Sequence, residues 1–192
     1  DNPTWYCLEA LPAMIDDDQL SSNGLAHSLF AIAVADKVRH QCPAELLAAD
    51  SVQYALLLDT TKLEEQRKSI IEKLTAMQHP SGGLSWMPKG DSRIGASYWS
   101  TGVFVELMGD LLQLKCLPED PALDSLVRRG LQYMDANTII QAQTDSLAAA
   151  KMKFLSYAYI RLLFGSKYEY KNALVQQRAD SIIALTVDAV RH

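Results

Sequence analysis

Apolar residues recur along this chain at intervals of three and four, the spacing that lays a stripe down one side of a helix. Asn2-Pro3 reads as a cap followed by proline at a first helical position, and Trp5, Leu8 and Leu11 share the stripe that follows. Asp16-Asp17-Asp18 breaks the pattern. From about Ser22, Leu25, Leu29 and Ile32 on one side and Phe30, Val34 and Val38 on another describe a helix apolar on most faces, hence buried, with His27 carried inside it as a hydrogen-bonded core residue. Cys42-Pro43 restarts the chain toward Leu46, Leu47, Val52 and Leu56. Thr61-Lys62-Leu63-Glu64 has capping-box spacing and opens a helix with Leu63, Ile70, Leu74 and Met77 on one face. Ser97 to Leu114 is helical again. Asp120-Pro121 caps a further helix through Leu123, Val127 and Met134. Asp145 to Phe164 is an amphipath ended by Gly165, and Tyr170 to Val190 is the last.

The count comes to about eight helices with no run of period-two alternation. Short links between long helices imply antiparallel hairpins stacked side by side, so the expected class is all-α. One long loop interrupts the series. Gln78 to Ala96 holds four of the nine glycines and two of the seven prolines, which marks it as the only extended connection with turn chemistry of its own. Within it, Gln78-His79-Pro80-Ser81-Gly82-Gly83-Leu84-Ser85-Trp86 has adjacent glycines suited to a positive-φ turn just after a helix. The sequence suggests a staple between helices: Gln78 satisfies loop amides and Trp86 folds back as a hydrophobic plug. The alternative is an aromatic wall of Trp86, Tyr98 and Trp99 facing a ligand.

Composition narrows the class. At 192 residues and 48% hydrophobic, the chain has the make-up of a single globular domain over 1–192. Eighteen basic against 23 acidic residues, with no basic run, argue against nucleic-acid binding. No stretch is apolar enough to insert in a membrane. The three cysteines, Cys7, Cys42 and Cys116, offer neither a disulfide framework nor zinc spacing, and are expected to be small buried hydrophobes. Asp16 and Asp18 imitate the start of a calcium loop, but Ser21 and His27 stand where glycine and glutamate are needed. No cofactor, metal or catalytic signature is found, and the protein is expected not to be an enzyme. Asp91 and Asp110 are the candidate carboxylates of a carbohydrate-cleaving alternative.

The Gln78–Trp86 segment resembles the repeat turn of α/α-toroid proteins. Asn2-Pro3-Thr4-Trp5-Tyr6 with Ala10-Leu11-Pro12 resembles the run ahead of the thioester site in bacterial α2-macroglobulin-like proteins, particularly the Bacteroidetes branch. Lys73-Leu74 through Met77-Gln78, Pro80-Ser81-Gly82-Gly83, Trp86 and a helix near Tyr98 are similar to the next block of that domain. The resemblance covers roughly residues 1 to 160 and implies a partial α/α toroid. In that family a Cys-x-Glu-Gln tetrapeptide forms an internal thioester that acylates proteases. Its expected position is occupied by Leu20-Ser21-Ser22-Asn23, which supplies no thiolate. The resemblance therefore implies a thioester-less domain excised from a larger periplasmic or envelope protein. Its partners would be other domains of the parent chain and proteases, and its role entrapment or interdomain scaffolding. A toroid enzyme acting on carbohydrate or isoprenoid, or a helical peptide-binding module, are the alternatives.

Overall fold

The computed structural model describes residues 10–41, 59–88, 95–144 and 147–191. The fold is all-helical. Six long helices follow a short helical stretch over 10–14: α1 (Ser22–Gln41), α2 (Thr60–Met77), α3 (Tyr98–Gln113), α4 (Pro121–Thr144), α5 (Leu147–Phe164) and α6 (Ala173–Arg191). Among the described residues no strand forms; a single bridge joins Gln78 and Leu84. The elements expected over 1–9 and 42–58 lie outside the described residues.

Helix starts are set by local chemistry. Ser97 Oγ accepts from Ser100 N at 3.1 Å, and Asp120 Oδ1 accepts from Ala122 N and Leu123 N at 2.8 and 3.0 Å ahead of Pro121. Asn172 caps α6 through Val175 N at 3.0 Å, so the last helix begins at Ala173 rather than Tyr170. The capping box read at Thr61 is corrected. Asp59 caps α2 instead, accepting from Lys62 N at 2.9 Å, and the helix starts at Thr60. A carboxylate both accepts the orphan amide and meets the positive end of the helix dipole, which the Thr61 hydroxyl cannot match. Asp59→Ala should therefore cost about 1 kcal/mol in urea unfolding, and Thr61→Ala a few tenths. Gly165, at φ +53°, closes α5 with its amide on the Arg161 carbonyl, as the sequence suggested.

The helices pack in two rows. α1, α3 and α5 touch in succession, as do α2, α4 and α6; α1 meets α2, α3 meets α4, and α5 meets α6 across the rows. Tyr98 Oη lies 2.7 Å from Thr138 Oγ1, while Gly102 faces Met134 and Gly130 faces Val105, so α3 and α4 run in opposite directions. Asp110 of α3 accepts from Tyr159 Oη at 3.1 Å and Gln113, one turn further on, donates its side-chain amide to Leu163 O, so α3 and α5 run the same way. The core collects Leu25, Leu29, Ile70, Leu74, Leu84, Phe104, Met108, Leu111 and Tyr157. α1 is buried on several sides, with Leu25, Ala26, Leu29, Ala31, Ile32, Ala33 and Ala35 all inside. The sector left free carries His27, whose Nδ1 sits 2.7 Å from Asn23 O; the buried place expected for it is corrected, because a helix wedged between α2 and α3 still has one side in water.

Candidate functional site

The Gln78–Trp86 loop lies where α1, α2, α3 and α4 meet. Gln78, the C-cap of α2, is buried, and its Nε2 donates to Gly82 O at 2.9 Å and Leu126 O at 3.0 Å. Its side-chain amide thus satisfies carbonyls of the loop and of α4. Gly82, at φ +95°, donates its amide to His79 O at 2.8 Å, and His79 N donates to Gly83 O at 2.9 Å. Leu84 is clamped onto the first turn of α3: its amide donates to Thr101 Oγ1 at 2.9 Å, and its carbonyl accepts from Ser97 N at 2.8 Å. Ser85 is buried, its Oγ reaching Met77 O and Met87 O at 3.2 and 2.7 Å. From α4, Arg129 Nη2 donates to His79 O at 2.9 Å, and Tyr133 Oη to Ala96 O at 3.1 Å. The backbone polar groups of a tight loop are satisfied inside the protein, which fixes four helix ends relative to one another.

The plug is Leu84, fully buried, and not Trp86, which is 56% exposed. The clamp on α3 turns the leucine inward and fills the space between helix ends, leaving the indole outside. Trp99 is 66% exposed. Tyr98 is committed elsewhere, its hydroxyl on buried Thr138, and burial pushes its phenol pKa up. The three aromatics therefore divide into one structural ring and two solvent-facing indoles rather than a common wall.

Leu20-Ser21-Ser22-Asn23 is the turn entering α1. Leu20 is exposed, Ser21 Oγ accepts from Gly24 N at 3.1 Å as the N-cap, and Ser22 N donates to Trp86 O at 2.9 Å. The turn is thus tied to the Gln78–Trp86 loop through its backbone. Among the described residues Ser22 Oγ and Asn23 Oδ1 are buried without a partner. Sulfur is absent from this turn, and an acyl–sulfur bond needs it. Of the cysteines, Cys7 and Cys42 lie outside the described residues. Cys116 is partly buried, its thiol pKa pushed up by burial while Lys37 pulls the other way.

Asp16 and Asp18 form a local turn, Asp16 Oδ1 accepting from Asp18 N at 2.9 Å and Oδ2 from Gln19 Nε2 at 2.7 Å. Among the described residues no group of three or more histidine, cysteine, aspartate or glutamate side chains could hold a metal ion. Asp91 lies outside the described residues. Asp110 is found beside Glu106, whose carboxyl pKa is raised by burial and by that neighbouring charge.

Sequence reasoning missed a buried polar network below α4 and α5. Asp135 and Arg161, 26 positions apart, form a bidentate pair: Nε donates to Oδ1 at 2.8 Å and Nη2 donates to Oδ2. Tyr157 Oη adds a bond to Oδ1 at 2.8 Å, and its own ionisation is driven far upward by burial and by the Asp135 charge. Arg161 Nη1 donates to Tyr168 O at 3.1 Å, its guanidinium carbon lies 3.9 Å from the Tyr170 ring centre, and Tyr168 Oη donates to Asp124 at 2.8 Å. Every charged atom has a partner, so the network orders the 165–172 connection rather than offering reactivity. The only hint in the sequence is two opposite charges falling among apolar positions of their helices.

Neither a protein-family profile, nor a curated protein, nor a solved structure matches the chain.

Proposed function

We propose that the chain is a thioester-less α2-macroglobulin-like helical domain, a partial α/α toroid of antiparallel hairpins. It would serve protease entrapment or interdomain scaffolding in a bacterial envelope protein, without covalent chemistry. The observation that carries the reading is the turn at Leu20–Asn23: by the resemblance it stands where the family would have its thioester, it is bound through Ser22 to the loop that resembles the family's repeat turn, and it contains no sulfur. Two further features support it. The rows α1–α3–α5 and α2–α4–α6 agree with successive hairpins of a toroid, as they would with any stack of helical hairpins, and the Gln78–Trp86 loop joins helix ends as a repeat turn would. A domain that fixes helix ends but carries no activated acyl group acts by holding shape. Entrapment by a cage blocks large substrates and spares small ones, whereas an active-site inhibitor blocks both.

The parent protein, incubated with an endoprotease, should therefore protect a folded protein substrate while a chromogenic peptide is still cleaved. Equal cleavage of both would overturn entrapment. Methylamine should add no mass to any peptide of this domain; an adduct on one of them would overturn the thioester-less reading.

A further inference from the structure

α3 and α5 run the same way, and the surface they share carries two unlike rails. On α5, Leu155, Tyr159 and Leu162 recur at i, i+4 and i+7 and are 39%, 45% and 62% exposed. Three large side chains on one stripe are the pattern a helix uses to bury itself against a neighbour. On α3, Glu106 and Asp110 lie one turn apart, and the Tyr159 hydroxyl donating to Asp110 places both rails on the same surface. Trp99, two turns before Glu106 on the same side of α3, stands exposed at the N-terminal end of the acidic rail. Among the described residues neither Glu106 nor Asp110 pairs with a cation.

From this juxtaposition we infer that the α3–α5 surface is a docking site for an amphipathic helix with an apolar stripe and lysine or arginine along one flank. The leucines of the incoming helix would cover Leu155, Tyr159 and Leu162 while its cations meet Glu106 and Asp110. The charge complement sets both the sign of the partner and its orientation. A bare apolar stripe would accept any greasy helix; the acidic rail beside it selects a basic one and rejects an acidic one. The occupant is a separate helix and not a second copy of this chain. Three side chains, each about half exposed, offer a few hundred Å² of apolar area, well short of the ~800 Å² per partner of a standard protein interface. The surface suits the scaffold role proposed above, but it rests on different residues and stands without that role.

Fluorescence anisotropy on the 192-residue chain tests this with two labelled peptides of about fourteen residues, four helical turns, one Leu/Lys and one Leu/Glu with identical spacing. The Leu/Lys peptide should bind saturably and weaken in 0.5 M salt, roughly half a molar being enough to screen surface charges. Leu155→Asp and Leu162→Asp should each lower its affinity about tenfold or more. Glu106→Lys with Asp110→Lys should abolish its binding and confer binding of the Leu/Glu peptide. These positions are on the surface, and helical circular dichroism of each variant confirms that it is folded. Absence of saturable binding overturns the inference. So does binding that all four substitutions leave unchanged, or a dimer in sedimentation that Leu162→Asp dissociates.

Discussion

Replacing Arg161 with alanine should lower the free energy of unfolding by about 3–5 kcal/mol, the usual loss when one member of a buried ion pair is removed and the other left in the core. Arg161 and Asp135 are 4% and 1% exposed, so neither has water to fall back on. The guanidinium makes two bonds to the Asp135 carboxylate and one to Tyr168 O, and it stacks on Tyr170. Its loss strands a carboxylate whose one remaining strong donor among the described residues is the Tyr157 hydroxyl. Asp135→Ala should cost a comparable amount, stranding the cation instead. Asp135→Leu combined with Arg161→Met should recover most of the loss, since neither charge then remains to be solvated. Tyr157→Phe, which removes a single charge-assisted bond, should cost about 1.5–3 kcal/mol. Urea titration of the four variants checks the order. A double variant no more stable than the singles would show that the helices are held apart by something other than this pair.

That network also marks where sequence reading stops. Caps such as Asp120-Pro121 and the Gly165 stop were legible because a few adjacent residues settle them. Asp59 and Thr61 show the limit even there: two cap candidates stand two positions apart, and the helix takes the one with the charge. The helical class was legible from spacing. The partner of each stripe was not, because periodicity says that a face is buried and not against what. His27 illustrates this: its apolar neighbours reach α2 and α3, and the histidine occupies the side that neither covers. In the Gln78–Trp86 loop the bend was legible from its glycines, but the choice of Leu84 over Trp86 as the inward residue depends on Ser97 and Thr101 of another helix. The Asp135–Arg161 contact spans 26 positions and repeats with no period, so no local pattern reveals it. The α3–α5 surface is hidden in the same way, since only the packing of two helices separated by α4 brings Tyr159 to Asp110.

Gly82→Ala should destabilise the protein by about 2–4 kcal/mol, at the upper end for a change of one methyl group. Two costs add. The residue sits at φ +95°, where a side chain is strained in any surroundings, and the new Cβ would lie 2.3 Å from the Arg129 carbonyl oxygen, inside contact distance of backbone that cannot rotate away. Either α4 shifts or the turn opens. A shift of Arg129 pulls its guanidinium from His79 O and carries Leu126 O, one helical turn earlier, off the Gln78 amide. An opened turn breaks the bond from Gly82 N to His79 O and that from Gln78 Nε2 to Gly82 O. Gly165→Ala provides the control. It has a positive φ of +53° but open space around the added methyl, so only the backbone strain remains, about 1 kcal/mol. Thermal unfolding should rank Gly82→Ala well below Gly165→Ala. Amide exchange should locate the difference: in Gly82→Ala the protection lost early belongs to Ser22 N and Ser97 N, the two helix-start amides that bond to carbonyls of this loop. Equal effects at the two glycines would mean that strain alone matters and that the loop does not press against α4. A larger effect at Gly82 without loss of protection at Ser22 and Ser97 would confine the loop's hold to α2 and α4, removing its claim to position the start of α1.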